Sequence, residues 1–304
     1  MIIRPETLTD YPAIADLHIK MFGNRASEAL IVALHRQRRA FAPTLSLVAE
    51  DHDELVGHAL FSPRTITLLG QQVRAVNLAP IAVFGGLQKR GIGGQLIEAG
   101  HAAARELGYK LCFLLGHPQY YARFGYQTFA FGVGSLSVAV TDAGDDVVAK
   151  PVNGYDIRSL MQLYFDSEGD RDFAIRPDQE ALAWISPNPQ VRSTVFTRDG
   201  EVVGYARVHQ AKPAAPRFFL ARDARAAQAM VNYLGGLAGA SELTLPLHPD
   251  SPIAAQLGAA QIQAWEPGMA CSLAPNPFDE YLAAVKKGER TVGQVLWPVE
   301  FDLE

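Results

Sequence analysis

LAPIAVFGGLQKRGIGG, residues Leu78 to Gly94, decides how this chain reads. An apolar run through Ile81, Ala82 and Val83 passes a glycine-bearing turn, reaches Gln88-x-x-Gly91-x-Gly93 and enters a helix. Unpaired N–H groups and the positive end of the dipole gather at a helix N-terminus. Glycines in the first turn let a pyrophosphate approach that backbone with no Cβ atoms in the way. Lys89 and Arg90 add positive charge at the same point. Ile92, Leu96, Gly100, Ala103 and Leu107 then recur at helical spacing, small residues facing a sheet, with Gly108 as the stop. Pro80 has no N–H to give to a ladder, so it belongs at an edge, a bulge or a parting of strands.

Outward from this stretch, Lys110 to Leu115 reads as a buried strand, and GHPQYYARFGY follows from Gly116 to Tyr126. Upstream, Leu45–Glu50 and Leu55–Thr67 read as strands joined at Asp51-His52-Asp53, and Gly70-Gln71 marks a second hairpin. Ile2 to Arg4 form a short first strand stopped by Pro5. Thr9 or Asp10 can cap a helix carrying Ile14, Leu17 and Met21 that ends at Gly23. A second helix from Ser27 to Ala40 closes on the basic run His35 to Arg39, either a solvated helix end or part of a substrate site.

At 304 residues, 48% hydrophobic and 19% charged, the chain has apolar content for two cores. A net charge of -5 gives no general affinity for nucleic acid or an anionic membrane surface. Cys112 and Cys271 form neither a disulfide framework nor a zinc spacing, so no metal is expected and a reducing cytoplasm is the expected setting. The first residues show no signal-peptide pattern, and no stretch is long and apolar enough to span a bilayer.

The polar link from Thr141 to Asp146 divides the chain into domains 1–143 and 144–304. The second half echoes the first. Lys150-Pro151 with Asp156, Leu160 and Leu163 repeats Arg4-Pro5 with Asp10, Ile14 and Leu17, and Glu201 to Ala206 repeats Glu54 to Ala59. Phe218–Ala221, Arg222–Leu237 and Leu243–Leu247 continue as strand, helix and strand, but the intervening LARDARAAQA carries no Gln-x-x-Gly-x-Gly. The terminal WPVEFDLE alternates Glu300, Asp302 and Glu304 with apolar residues, as a last strand with one solvated acidic face would.

Strand, turn, helix, strand and the Tyr120-Tyr121-x-x-x-Gly125-Tyr126 element, in this order, resemble motif A and its sequel in the GNAT superfamily of acyl-CoA-dependent N-acyltransferases. That resemblance implies an α/β (α+β) fold: a mixed, mostly antiparallel sheet with a splay between central strands, flanked by helices. The echoes add a second, degenerate GNAT-like α/β domain that packs on the first or frames its acceptor site. The resemblance also implies acetyl-CoA as co-substrate, its pantetheine beside Ile81, Ala82 and Val83 and its pyrophosphate at Gln88, Lys89, Arg90, Gly91, Ile92, Gly93 and Gly94. Tyr121 aligns with the family's general acid, with Tyr120 as its rival. The family's frequent Glu on the central strand is missing, since Val73 to Val83 offers only Asn77 as a short polar side chain. His117 either takes a proton, directly or through water, or caps the short helix.

The implied reaction moves an acetyl group to a primary amine on a small molecule or peptide, in an enzyme whose oligomeric state stays open. A non-catalytic CoA-binding regulatory or scaffolding protein is the alternative. A nucleotide enzyme is disfavoured because no Gly-Lys-Ser/Thr follows the turn.

Overall fold

The computed structural model describes residues 1–141 and 146–303. Strand β1 (Ile2–Pro5) leads through a 3-10 turn into α1 (Tyr11–Met21) and α2 (Ser27–Arg36). The turn is fixed from both sides: Asp10 accepts from the Thr7 N–H at 2.7 Å, and Arg4 reaches back from β1 to the same carboxylate at 2.7 and 2.8 Å. Strands β2 (Ser46–Asp51), β3 (Glu54–Leu68) and β4 (Gln71–Val83) form consecutive antiparallel hairpins. Helix α3 (Ile92–Glu106), β5 (Leu111–Leu115) and the single turn α4 (Pro118–Tyr121) complete the segment.

Where β4 meets β5 the sheet opens. The two are parallel and share only the rungs Ala75↔Leu111, Val76↔Cys112 and Asn77↔Phe113, after which no pairing joins Leu78–Val83 to Leu114 and Leu115. Pro80 sits just past the last rung. There the β3–β4 register shifts, pairing Ala59 with Ile81 but Phe61 with Leu78, so the missing N–H falls at a bulge beside the parting.

Each face of this sheet has its own core. Phe61, Val76 and Leu78 pack with Leu96 and Ile97 of α3, and a Cβ on Gly100 would collide with the Phe61 ring, which is why the helix needs glycine there. On the other face Ile14 of α1 and Val32 of α2 pack with Val48 and Leu60.

The chain then builds β6 (Gly132–Ala139), β7 (Val148–Pro151), α5 (Ile157–Glu168), β8 (Val191–Arg198), β9 (Glu201–His209), β10 (Phe218–Ala221) and α6 (Ala224–Ala238). After β11 (Glu242–Leu245), α7 (Ala254–Leu257) and β12 (Gln261–Ala264) come β13 (Gly268–Ser272) and α8 (Phe278–Lys286). Strands run in the order β10-β9-β8-β7 in one sheet and β11-β6-β12 in another, while β1-β2-β3-β4-β5-β13 make the first. The echo seen in the sequence is structural. Lys150 holds Asp156 at 2.5 Å as Arg4 holds Asp10, and β8 has a register shift at Phe196/Thr197 matching the one in β2 at Ala49/Glu50.

One expectation needs correction, and another lies outside the described residues. The compact units comprise residues 1–130 with 265–291 and 303–304, and residues 131–264 with 292–302. The boundary expected at 143/144 lies outside the described residues; β6, which follows residue 130, pairs with β11 and β12 in the second unit. Residues 265–291 belong with the first unit because β13 pairs antiparallel with β5 from Gly268↔Leu115 to Ser272↔Leu111 and so returns to the first sheet. The acidic C-terminal stretch is neither a strand nor solvated: Val299–Leu303 is a 3-10 helix with Glu300 and Asp302 buried. Asp302 accepts from the buried Arg207 guanidinium at 2.9 Å, which satisfies the carboxylate that alternation had turned to solvent.

Candidate active site

The turn after β4 carries its groups on the outside. Gln88, Lys89, Arg90 and Gly91 are exposed, whereas Ile92 is buried in the core and anchors the first turn of α3. Gly91, the N-cap, has φ +85°, a left-handed conformation that a side chain would strain, and no side chain caps the helix. Gly93 and Gly94 follow inside the helix; a Cβ on Gly93 would lie 2.5 Å from the Tyr120 hydroxyl, and one on Gly94 3.1 Å from the Phe124 ring. The Gln88 side chain does not reach into the turn: its amide donates to the Val83 carbonyl at 3.1 Å and ties the loop to the strand.

Phe84 N–H donates to the Val56 carbonyl at 2.9 Å, and the antiparallel ladder alternates. Ala82 opposite His58 therefore faces β3 with its backbone groups, and the N–H groups of Ile81 and Val83 turn toward the parting. Of the three strand residues expected beside the pantetheine, two present their backbone to the opening and Ala82 belongs to the ladder.

Tyr121 and Tyr120 differ in environment. Tyr121 is buried, its ring edge-on to Tyr120 at 5.0 Å and to Tyr126 at 5.7 Å, and burial pushes its phenol well above the ordinary range. Tyr120 is half-buried beside Gly93, with the Arg123 guanidinium 4.7 Å from its ring centre. His117 is the N-cap of α4; its carbonyl accepts from the Tyr120 and Tyr121 N–H groups, while its exposed side chain makes no capping bond. Asn77 donates to the Phe113 carbonyl at 3.1 Å across the last rung before the strands part.

A polar chain that sequence reasoning missed lies under α1 and α2. Arg36 donates twice to Glu6 at 2.9 and 2.7 Å, so one member of the basic run is a half-buried strut rather than a solvated end. His58 Nε2 lies 2.9 Å from Ser46 Oγ and 3.6 Å from Glu6, and His58 Nδ1 lies 2.8 Å from His18 Nε2. The signal was a histidine inside the apolar Val56-Gly57-His58-Ala59 run of a buried strand. Burial drives His18 down to about 2, helped by the neighbouring His58 and Arg36, and drives His58 down as well. Burial would raise Glu6, but hydrogen bonds from His58, Arg36 and Ser46 outweigh it and hold Glu6 at about 2. A second buried group, His101 against the Tyr126 hydroxyl at 2.9 Å, is lowered to about 4 by burial and by Arg105.

These shifts set an acid limit. The unfolded chain binds protons at these histidines below pH 6.5 while the folded chain does not, so stability falls as pH drops through 6.5 and keeps falling toward 4 for His101 and 2 for His18. Glu6 acts in the same direction between 4.5 and about 2. Thermal melting across pH 7.5 to 4 is expected to show a midpoint that declines from about pH 6.5, and His101→Phe is expected to flatten the decline. A midpoint constant down to pH 5 would contradict the buried neutral histidines.

No group of three or more His, Cys, Asp or Glu side chains among the described residues could hold a metal ion, and no helix among them is long and apolar enough to cross a membrane. Cys112 and Cys271 are buried free thiols facing one another across β5 and β13.

Residues 2–129 match the family model described as an acetyltransferase (GNAT) domain. The uncharacterized N-acetyltransferase YhbS of Escherichia coli K12 is 34% identical over 131 residues, which is 43% of this chain and 75% of that protein. Among solved structures, a probable N-acyltransferase of unknown function from Enterococcus faecalis V583 superposes with a TM-score of 0.69 at 13% identity, over 92% of this chain and 74% of its own. A GCN5-related N-acetyltransferase from Anabaena variabilis gives 0.70 at 12% identity, over 88% and 72%. At such identities the structural likeness speaks for the fold, and it extends past the matched segment into the second unit. With a relative at this identity covered over three quarters of its length, and the parted strands and bare glycine turn in the matched segment, the chain belongs to the GNAT acetyltransferase family.

Proposed function

We propose that this chain transfers the acetyl group of acetyl-CoA to a primary amine by direct attack in a ternary complex, using the first unit alone. One observation carries the reading, the contrast between two equivalent helix starts. Gly91 leaves the first N–H groups of α3 without a side-chain cap, whereas at the matching place Asp223 caps α6, accepting from Ala226 N–H at 2.7 Å. An uncapped N-terminus flanked by Lys89 and Arg90 attracts a diphosphate, and one already bearing a carboxylate repels it.

In this reading the Ile81 and Val83 N–H groups pair with the pantetheine arm, and a strand N–H near Val83 stabilises the oxyanion on the thioester carbonyl. Tyr121 gives its proton to the departing thiolate; burial keeps the phenol protonated until that charge develops. His117, exposed at the start of α4, takes the proton released by the amine, directly or through water. Transfer to amines, rather than CoA sensing, is favoured by the retention of a buried, protonated phenol close to the parting.

Calorimetric titration of the full chain with coenzyme A tests the carrying observation. One binding site per chain is expected, weakened several-fold when Lys89 and Arg90 are replaced together by Ala. No heat, or two sites, would overturn it.

A further inference from the structure

The Tyr121 phenol owes its direction to packing alone. Among the described residues nothing hydrogen-bonds its hydroxyl, so the groups against its ring decide where it points. Gly116 lies so close that a Cβ there would collide with the ring, and the rings of Tyr120 and Tyr126 meet it edge-on at 5.0 and 5.7 Å. These two neighbours differ. The Tyr120 hydroxyl has no hydrogen-bond partner among the described residues either, and its ring is half-buried, whereas Tyr126 is 3% exposed and held both by its hydroxyl and by its backbone.

The hold on Tyr126 comes from three elements. Its hydroxyl donates to Cys112 Sγ of β5 at 3.0 Å and lies 2.9 Å from Nε2 of His101 on α3. With its one proton given to sulfur, the oxygen must accept from the imidazole, so Nε2 carries the hydrogen of a neutral ring. Cys271 Sγ of β13 lies 3.8 Å from the same nitrogen, and Cys271 stands directly across from Cys112. One residue on, Gln127 exchanges backbone hydrogen bonds with Ala270 of β13 at 2.8 and 3.1 Å. The strand that returns after the second unit thus grips the chain beside Tyr126 while α3 and β5 grip its phenol.

Packing does not require these bonds. A phenylalanine ring fills nearly the same volume with no polar atom to bury, so the hydroxyl adds direction rather than area. We propose that Tyr126, fixed by His101 and Cys112, is a positioning residue for Tyr121: it backs the ring and holds the phenol in the orientation from which it gives its proton. This rests on the reading of Tyr121 as general acid, and adds the route by which α3 and the return strand act on it.

The test is a double-mutant cycle, with Tyr126→Phe made in the native chain and in Tyr121→Phe, and with acetyl-CoA and n-butylamine as substrates. In the native chain Tyr126→Phe is expected to lower kcat about tenfold and to leave KM for acetyl-CoA unchanged, as a misdirected group does and lost binding does not. In Tyr121→Phe it is expected to change nothing further, since the residue it acts through is gone. His101→Leu should copy Tyr126→Phe, and His101→Gln, which keeps an N–H for the Tyr126 oxygen, should recover most of kcat. An equal loss in both backgrounds, or full kcat in Tyr126→Phe, would overturn the proposal and leave the hydroxyl a stabilising group only. Native kcat in Tyr121→Phe would instead sink the general-acid reading, and the proposal with it. A readout free of the acceptor is the fluorine NMR spectrum of the full chain with fluorotyrosine in place of Tyr121: one sharp line is expected, broadened or split by Tyr126→Phe. An unchanged line would overturn the proposal even where n-butylamine is not acetylated.

Discussion

Replacing Tyr121 with Phe is expected to lower kcat by about a hundredfold or more while coenzyme A binds as before. The ring is held by Tyr120, Tyr126 and Leu114 in the first core, so Phe keeps the packing and loses only the hydroxyl. Because burial raises the Tyr121 phenol above its ordinary range, it stays protonated through neutral and mildly alkaline pH. The rate is then expected to climb with pH as the acceptor amine loses its proton, with no fall from Tyr121 ionisation below about pH 10. Tyr120→Phe is the informative partner. Its hydroxyl lies against Gly93 at the glycine turn, so its loss should raise KM for acetyl-CoA and leave kcat nearly unchanged. Steady-state kinetics of both variants with one amine decide the matter. If Tyr121→Phe keeps its kcat, solvent protonates the thiolate and the buried phenol is a packing residue.

What could be read in the sequence was what the chain fixes locally. Ile2–Pro5, the long hairpin of Glu54–Leu68 and Gln71–Val83, and helix Ile92–Glu106 end at prolines, glycines and Asp-His-Asp turns that punctuate the sequence near the residues concerned. The parting at Pro80 was legible for the same reason, as one residue without an N–H. The return strand Gly268–Ser272 was not, because an apolar run of five states no partner, and β5 lies some 150 residues upstream, about the span expected of a whole domain. Nor could Asp302 be read: an acidic residue near a chain end looks solvated until Arg207, nearly a hundred residues away, closes on it. The site divides likewise. The glycine turn is one contiguous stretch, whereas Glu6, His18, Arg36, Ser46 and His58 meet only after three strands and two helices have packed.

The return strand also makes a prediction that the sequence alone would have reversed. A fragment ending at residue 141 is expected to stay unfolded or aggregate, although the family match ends at residue 129. Without β13 the strand Leu111–Leu115 becomes an open edge of buried apolar residues, a template for pairing with other chains. The buried side chains Met269, Leu273, Phe278, Tyr281 and Leu282 all leave the first unit, and Arg105 and the Ala130 carbonyl lose their partners Leu273 and Tyr281. At about 1.5–3 kcal/mol for each large apolar side chain, the loss amounts to roughly 8–15 kcal/mol, as much as the entire stability of an ordinary domain. Residues 1–130 joined by a flexible linker to 265–291 restore that strand and helix, and this version is expected to melt cooperatively and to bind one coenzyme A. Circular dichroism melting of the two fragments side by side separates the cases. Cooperative melting of the 1–141 fragment would mean that β4, α3 and β5 stabilise the first sheet without their antiparallel neighbour.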